Sequence, residues 1–384
     1  PLLLAADTER ALGRLGQFNR ALFAGTLVAI TGSSGKTTVK NLVRAVLSRS
    51  GETLATEGNF NNEIGVPLTL LRLAQGTEFA VVEMGAAAAG DIRWLCELGR
   101  PRVAVLLNAM AAHLEGFGSV DDVAAAQGEI FDGLVAGDTA VINADQPWAA
   151  AWRDRCGEAT VLDFALDSGA AVTARDIRSR GVAGSSFTAI TPAGELLVNL
   201  QLPGRHNVAN ALAAICVGLA CGLELAEIGA GLAQAEPAGG RLSTFVSPAG
   251  AKVIDDCYNA NPGSVRAAID LLAQCEGRRT LVLGEMRELG EGSGALHAEI
   301  GEYARAAGLE RLWGVGEALR PTVRAFGAGG VHFASRDALL PRLAVETREG
   351  DTLLVKGSWG AALVDIVRAL RAVCGVGVCV CSCW

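Results

Sequence analysis

The segment Thr31-Gly32-Ser33-Ser34-Gly35-Lys36-Thr37 constrains the fold of this chain more than any other part of its sequence. An apolar stretch at 27–30 reads as a buried strand before it, and a helical pattern begins at Thr37. Glycines let the backbone curl so that successive N–H groups point inward, and the helix adds the positive end of its dipole. The segment therefore predicts a phosphate-binding loop at the start of an α/β domain.

This loop is a short form of the nucleotide-binding pattern, because Ile30 stands where the longer pattern has its first glycine. In such loops the lysine reaches the outer phosphates and the hydroxyl after it ligates Mg²⁺. The predicted ATP contacts are Gly32, Ser33, Ser34, Gly35, Lys36, Thr37 and Thr38. The alternative, a tight strand–helix turn with an exposed lysine, leaves the glycines and the paired threonines unexplained.

Apolar strands alternate with helical stretches in both halves of the chain. Further strands are predicted at 79–82, 103–107, 139–142, 251–254, 279–283, 311–315 and 352–355. Between the two halves, the alternating pattern at 186–200 predicts an antiparallel hairpin, and a long helix follows at 207–222. The predicted fold class is α/β: a P-loop ATPase domain with a mainly parallel sheet, followed by a Rossmann-like α/β C-terminal domain.

The chain length of 384 residues predicts two or three domains. The stretch Glu236-Pro237-Ala238-Gly239-Gly240 has the composition of a linker or hinge. We expect a residual N-terminal helix at 1–24, a central ATP-binding domain at 25–240, a C-terminal domain at 241–375 and a cysteine-rich tail of unassigned role at 376–384.

Composition argues against several classes of protein. The net charge is −8 without a basic stripe, which disfavours nucleic acid as a partner. The most apolar run, at 208–223, is too short to span a membrane. Ten scattered cysteines fit a reducing cytoplasm better than a disulfide framework. We therefore expect a cytoplasmic protein without a nucleic-acid or membrane partner.

Two polar residues follow predicted strands of the first half. Glu83 ends the strand at 79–82, and His113 follows the strand at 103–107. Carboxyl ends of parallel strands face the ligand crevice, so Glu83 suits Mg²⁺, while His113 suits a metal or the reacting phosphoryl group. The alternatives are a surface carboxylate and a structural histidine.

Other polar segments leave two interpretations open. The Asn-rich stretch 58–65 fits substrate recognition or plain turn chemistry. Asn207 and Asn210 share one helix face, where ligand contact or capping would satisfy their amides. Asp255 follows a strand and could bind ribose hydroxyls or a cation. Arg241, beside the linker, could reach a γ-phosphate or be an ordinary linker arginine.

Taken together, these segments resemble the Mur ligase family, and most closely its MurF-type members. The matching segments are 31–37, 57–67, 113–119, 202–211, 255–264 and 356–358, in family order. They are spread over most of residues 26–370, and the run at 57–67 separates this type from its sister ligases.

The resemblance implies an ATP-dependent acid–amino-acid ligase of peptidoglycan precursor synthesis in the bacterial cytoplasm. ATP would phosphorylate the terminal carboxylate of UDP-N-acetylmuramoyl-tripeptide, and the amine of D-Ala-D-Ala would attack the resulting acyl phosphate. The resemblance further implies ATP and Mg²⁺ as cofactors, small molecules as the only partners, and a monomer.

By the same resemblance, site roles carry over residue by residue. Thr37 and Glu83 would hold one Mg²⁺ and His113 a second. The expected catalytic residues are Lys36, His113 and Arg241. The expected further nucleotide contacts are Asn207, Asn210, Arg241, Asp255 and Tyr258. The expected substrate contacts are Asn59, Asn61, Asn62, Asn261 and Lys356.

The sequence departs from the family pattern in three places. The family begins with a UDP-sugar-binding domain, whereas here only residues 1–24 precede the first strand, so that domain is expected to be absent. Gln127 stands where the family has a lysine that takes up CO₂ as a carbamate near Mg²⁺, so we expect Gln127→Lys to raise turnover. Trp359-Gly360 replaces the usual Arg-Ser.

These departures keep two alternatives open. One is a catalytically impaired relative that binds nucleotide without turnover. The other is a different amide ligase of the superfamily, resembling folylpolyglutamate synthase, which the run at 57–67 disfavours.

Overall fold

A computed structural model of the chain describes residues 4–236 and 239–372. The chain divides into two compact units, Pro1–Glu236 and Pro237–Trp384. The predicted linker at 236–240 spans this division, and its residues 237 and 238 lie outside the described ranges, as does the cysteine-rich tail. Among the described residues, no helix is both long and apolar enough to cross a membrane.

The first unit is built on a six-stranded parallel sheet with the strand order β2-β3-β1-β4-β5-β6, beside a three-stranded antiparallel sheet, β7-β8-β9. Its strands are β1 (Thr26–Thr31), β2 (Thr53–Ala55), β3 (Phe79–Glu83), β4 (Val103–Leu106), β5 (Thr139–Asn143), β6 (Thr160–Phe164), β7 (Thr173–Ser179), β8 (Ser185–Thr191) and β9 (Gly194–Leu200). The predicted buried strands and the predicted hairpin are confirmed.

The helices of the first unit cover both faces of the parallel sheet. They are α1 (Thr8–Ala21), α2 (Lys36–Leu47), α3 (Gly65–Leu70), α4 (Asp91–Gly99), α5 (Leu114–Phe117), α6 (Val120–Gln127), α7 (Ala149–Asp154), α8 (Arg205–Ala220) and α9 (Leu225–Gln234). Along β1, Val28 and Ile30 join the core beneath α2 and α8, whereas Leu27 and Ala29 join the core beneath α4. Because both faces are buried, the strand reads as an unbroken apolar run.

The second unit is a six-stranded sheet with the strand order β10-β11-β15-β12-β13-β14, parallel except at the β10–β11 edge. Its strands are β10 (Ser243–Val246), β11 (Lys252–Asp256), β12 (Arg278–Gly284), β13 (Arg311–Val315), β14 (Gly330–Phe333) and β15 (Asp351–Lys356). Its helices are α10 (Pro262–Ala273), α11 (Ser293–Ala306), α12 (Arg320–Phe326), α13 (Arg336–Glu346) and α14 (Val364–Ala372). The predicted α/β class of this unit is confirmed.

Five strands were missed by the sequence analysis: β2, β6, β7, β10 and β14. All five are edge strands: β2 and β6 in the first large sheet, β10 and β14 in the second, and β7 in the small sheet. Their residues are largely half-buried or exposed, so they lack the apolar run that marks a central strand.

In each large sheet, the loops that follow neighbouring parallel strands lie together at the carboxyl ends of those strands, which we call the carboxyl edge. In the first unit, β3, β1 and β4 are neighbours, so the segments after Glu83, Thr31 and Leu106 emerge side by side. In the second unit, β11, β15 and β12 do the same after Asp256 and Lys356. Ligands of open parallel sheets bind at such carboxyl edges.

Candidate active site

The loop between β1 and α2 has the backbone geometry of a phosphate cradle. Gly32 and Gly35 have positive φ values of 146° and 86°, which glycine adopts without strain. Gly35 is the N-cap residue of α2, so the positive end of the helix dipole lies at the loop. The Lys36 ammonium donates to the Gly32 carbonyl at 2.5 Å, which keeps this cation at the loop.

Asn108, two residues after the end of β4, holds this loop in place from the side of the neighbouring strand. Its carbonyl accepts the Ser33 N–H at 3.0 Å, and its side-chain oxygen accepts the Ser34 N–H at 2.9 Å. Its side-chain N–H donates back to the Ser34 carbonyl at 3.0 Å. The sequence analysis missed Asn108, although a polar residue just after a buried strand was the signal used to find Glu83.

Gln127, at the end of α6, is buried against the same loop. When its amide is oriented so that both of its groups are satisfied, its N–H donates to the Asn108 carbonyl at 2.8 Å. Its oxygen then accepts the Ser33 N–H at 3.0 Å. A neutral amide thus braces the phosphate loop at the position where the family pattern has a lysine that forms a carbamate.

Glu83 lies at the end of β3 with 2% of its surface exposed. Its Oε2 accepts the Thr37 hydroxyl at 2.8 Å, its Oε1 accepts the Asn61 amide at 2.9 Å, and its N–H donates to the Thr56 hydroxyl at 3.0 Å. A hydroxyl and a carboxylate in contact beside a phosphate loop are the oxygen ligands that Mg²⁺ prefers. The residues therefore fit the predicted Mg²⁺ site.

Lys40, one helical turn after Lys36, was not singled out by the sequence analysis. Its ammonium lies 3.6 Å from Glu83 Oε2 and donates to the Gly58 carbonyl at 3.3 Å. The signal in the sequence was a lysine among the core-facing positions of α2, next to Val39 and before Leu42.

His113 is the N-cap residue of the short helix α5 and has a left-handed conformation, with φ 54°. It follows Met110, whose N–H donates to the Ser33 hydroxyl at 3.0 Å, so the segment that carries His113 starts beside the phosphate loop. Within residues 4–236 and 239–372, no group of three or more His, Cys, Asp or Glu side chains could hold a metal. A second Mg²⁺ at His113 stays a prediction.

The three asparagines predicted to contact substrate differ in their surroundings. Asn61 binds Glu83, Asn62 accepts the Gly65 N–H at 2.9 Å before α3, and Asn59 is exposed. The contact of Asn62 is turn chemistry, and substrate contacts of the three asparagines stay predictions.

Asn207 and Asn210 lie buried on α8 and form a chain of hydrogen bonds. Asn210 donates to Asn207 Oδ1 at 2.9 Å, and Asn207 donates to the Pro203 carbonyl at 2.7 Å. A Cβ atom added at Gly35 would lie 2.8 Å from Asn210 Oδ1. The structure thus brings Asn210 to the phosphate loop, which the sequence spacing alone did not establish.

In the second unit, Lys356 and Asp256 are register partners on the adjacent strands β15 and β11. The Lys356 ammonium, 3% exposed, donates to Asp256 Oδ2 at 2.5 Å and to the Asn259 carbonyl at 3.0 Å. Burial raises the pKa of Asp256, while the Lys356 ammonium and the Arg241 charge oppose that rise. The ammonium of Lys356, which the sequence analysis predicts to contact substrate, is therefore already hydrogen-bonded to residues of its own unit.

The remaining predicted residues of the second unit line the same edge of the sheet. The Arg241 guanidinium stacks 4.0 Å from the centre of the Tyr258 ring, which pairs with the exposed Trp359 at 5.7 Å. Asn261 caps α10 by accepting the Ser264 N–H, and Asp255 accepts the Cys257 N–H at 3.3 Å. Their contacts to nucleotide or substrate stay predictions.

Two further residues, missed by the sequence analysis, tie the loops of this edge together. The Ser358 hydroxyl accepts the Arg287 N–H at 3.0 Å and donates to the Ala260 carbonyl at 3.3 Å. His297 is fully buried. Its Nε2 accepts the Met286 N–H at 3.1 Å, and its Nδ1 lies 2.8 Å from the Ser293 carbonyl. Burial lowers the pKa of His297, which keeps the ring neutral and able to accept.

Comparisons with known proteins extend over both units. The profile of the Mur ligase middle domain matches residues 30–218, and that of the Mur ligase glutamate ligase domain matches residues 240–359. The UDP-N-acetylmuramoyl-tripeptide–D-alanyl-D-alanine ligase of Escherichia coli (strain K12) is 45% identical over 376 residues, which cover 97% of this chain and 82% of that relative.

Solved structures agree with these sequence matches. A crystal structure of MurF from Acinetobacter baumannii superposes with a TM-score of 0.91 at 34% identity, covering 96% of this chain and 82% of that one. MurF from Thermotoga maritima in complex with ADP superposes with a TM-score of 0.84 at 27% identity, covering 96% and 85%. Because the likeness reaches well beyond the phosphate loop into the second unit, the chain belongs to the Mur ligase family.

Proposed function

We propose that this chain is an ATP-dependent ligase that joins D-Ala-D-Ala to UDP-N-acetylmuramoyl-tripeptide in peptidoglycan precursor synthesis. The observation that carries the proposal is a braced phosphate loop next to a buried Thr37–Glu83 pair, in a chain 45% identical to a ligase of that name. Its setting would be the bacterial cytoplasm.

The reaction needs a carboxylate turned into an electrophile. A tripeptide carboxylate oxygen attacks the γ-phosphorus of ATP, which gives an acyl phosphate and ADP. The amine of D-Ala-D-Ala then attacks the carbonyl carbon, loses a proton and expels inorganic phosphate as the amide forms. Most of the catalysis in such phosphoryl transfers comes from positioning and charge stabilisation.

The residues of the first unit suit these tasks. The Lys36 ammonium neutralises charge on the transferring phosphoryl group, and the amides at the start of α2 hold the phosphates. Mg²⁺, held by Thr37 and Glu83, supplies further charge neutralisation when it is bound. Asn210 lies where it can fix the loop or the nucleotide, and Asn59, Asn61 and Asn62 would face the tripeptide.

The second unit would supply the remaining contacts. Arg241, Asp255 and Tyr258 would contact the nucleotide, and Asn261 and Lys356 would form the edge that accepts the dipeptide. His113 would hold a second metal or contact the phosphoryl group. The stacked Arg241–Tyr258 pair offers a cation and a ring face of the kind that phosphates and adenine bind.

The test measures inorganic phosphate and the amide product by mass spectrometry, with ATP-Mg²⁺ and both substrates, and with each substrate left out. We expect phosphate release to require both substrates and to equal the amide formed, and Lys36→Ala to abolish it. Tight ATP binding without product would favour the impaired relative. Ligation of glutamate to a folate, but not of D-Ala-D-Ala, would favour the other amide ligase.

A further inference from the structure

Lys40 is a buried cation that the proposed chemistry does not use directly. Its side chain is 5% exposed, and it lies on α2 among core residues such as Val39, Leu42 and Val43. Burying an ammonium group is unfavourable unless opposite charge and hydrogen-bond acceptors compensate. The contacts of Lys40 therefore indicate what its charge does.

Those contacts join two separate parts of the site. The Lys40 ammonium lies 3.6 Å from Glu83 Oε2, the same oxygen that accepts the Thr37 hydroxyl at 2.8 Å. It also donates to the carbonyl of Gly58 at 3.3 Å, in the loop that connects β2 to α3. One cation thus contacts both the predicted Mg²⁺ ligand and the predicted substrate loop.

The loop at 57–65 is tied to this charge pair at a second point. Asn61 donates to Glu83 Oε1 at 2.9 Å, and the Asn61 carbonyl accepts the Gly85 N–H at 2.8 Å. The two oxygens of one carboxylate therefore bind different elements: Oε2 binds the start of α2, and Oε1 binds the loop. When the partners of one carboxylate oxygen change, the charge on the other oxygen and the orientation of the carboxylate change as well.

We propose that Lys40 is a positioning residue that couples the phosphate loop to the loop at 57–65 through Glu83. Lys40 contacts Glu83 Oε2 and the Gly58 carbonyl at the same time, so occupation of the nucleotide side orders the loop on the other side. Coupling between two binding sites is reciprocal, so the loop's ligand strengthens nucleotide binding by the same factor. The identity of that ligand, the peptide of the acyl substrate, rests on the proposed function.

The coupling is testable by hydrogen–deuterium exchange of the peptide covering 57–65, with and without a non-hydrolysable ATP analogue and Mg²⁺. In the wild type, the analogue should slow exchange in this loop. In Lys40→Met, exchange should be at least about tenfold faster, and the analogue should no longer protect the loop. Lys40→Gln keeps a donor for the Gly58 carbonyl but no charge, so protection should be partly retained.

Arg44→Met is the matched control, because Arg44 is an exposed cation one turn further along α2. This variant should exchange like the wild type. If Lys40→Met does not fold, Lys40→Gln provides the comparison. The proposal is overturned by an unchanged response of the loop in the Lys40 variants, or by equal acceleration throughout residues 4–236, since that pattern means general destabilisation.

Kinetics give a second readout. In Lys40→Met, KM for UDP-N-acetylmuramoyl-tripeptide should rise about tenfold or more, and the affinity for the ATP analogue measured with saturating tripeptide should fall by a similar factor, because the coupling is reciprocal. A loss of affinity for only one of the two ligands would contradict a coupling role. The exchange experiment needs only the nucleotide analogue and no substrate. If the wild type makes no amide but the analogue still slows exchange in the loop at 57–65, only the proposed function is refuted. An active enzyme with an uncoupled loop refutes only this inference.

Discussion

Each of the two large sheets has a lysine–carboxylate pair at its carboxyl edge, but the carboxylates of the two pairs differ in how many other side chains they bind. Lys356 and Asp256 face each other on neighbouring strands, with the ammonium 2.5 Å from the carboxylate. Lys40 stays 3.6 Å from Glu83, whose oxygens also bind Thr37 and Asn61. The first arrangement is a closed pair; in the second, one carboxylate is shared among three side chains from α2 and the loop at 57–65.

This difference suggests different roles for similar chemistry. A closed pair satisfies its own charges and fastens two strands, so its loss should appear mainly as lost stability. A shared carboxylate remains available to a hydroxyl, an amide and a metal ion, so its loss should appear mainly in turnover. The first two of the four predictions below test this contrast, and all four run from the largest expected effect to the smallest.

Glu83→Gln should lower kcat/KM on the order of a thousandfold, because it removes an anion from the Mg²⁺ site while keeping the side-chain shape. Steady-state phosphate release measures this. The control is Glu158→Gln, which changes an exposed carboxylate of the same unit outside the site and should behave as the wild type. Wild-type turnover in Glu83→Gln would contradict the claim that the shared carboxylate acts mainly in turnover.

Lys356→Met should destabilise the second unit by on the order of 3 kcal/mol, because it leaves Asp256 as a largely buried charge without its partner. Hydrogen exchange of β11 and β15 measures this. The double variant Lys356→Met/Asp256→Asn should recover most of the loss. Removing the exposed Arg368, which pairs with Asp365, should change stability by about 1 kcal/mol or less. A larger loss in Arg368→Met than in Lys356→Met would contradict the closed-pair role.

Gln127→Lys should raise turnover several-fold in the presence of bicarbonate, because a carbamate at this position, which lies against Ser33, would help to position Mg²⁺. The measurement is turnover with bicarbonate and in CO₂-depleted buffer. Gln127→Met, which can form no carbamate, should show no bicarbonate response. If both variants respond alike, the carbamate is not what limits this chain.

Acidification should destabilise the second unit through His297. Its pKa is lowered from the ordinary 6.5, mainly by burial, so the unfolded state binds the proton first as pH falls. The stability it contributes is thus complete above about pH 6.5 and is lost below it, by at most about 1.4 kcal/mol per pH unit. Denaturation at about pH 7.5 and 5.5 measures this slope.

His297→Gln should remove that pH dependence, whereas Ser293→Ala should keep it because the acceptor of the ring is the Ser293 main-chain carbonyl. An unchanged slope in His297→Gln would assign the acid sensitivity to other groups.

The local motifs were predictable from the sequence because their signals lie within a few residues. The phosphate loop, Thr37 and Glu83 follow from a strand, its last residue and a helix start. Lys40, Asn108 and Thr56 were missed because their roles depend on contacts between distant segments. Periodicity assigns such residues to a helix or a strand end but does not identify their partners.

The pair Asp255-Asp256 shows the same limit within one strand. The nucleotide contact predicted for Asp255 stays a prediction, but the sequence analysis did not identify Asp256 as the residue in register with Lys356. Adjacent residues of a strand point to opposite faces, so choosing between them requires the pairing of β11 with β15. That pairing joins segments about a hundred residues apart, which no local pattern reveals.

The bracing of the phosphate loop by Asn108 and Gln127 has a consequence for how fast a nucleotide can dock. The Ser33 and Ser34 amides are already hydrogen-bonded, so the loop loses its conformational entropy when the chain folds and not when the ligand arrives. A rigid receptor of this kind needs no slow rearrangement before capture. Association should then be a single step whose observed rate grows linearly with nucleotide concentration and does not level off.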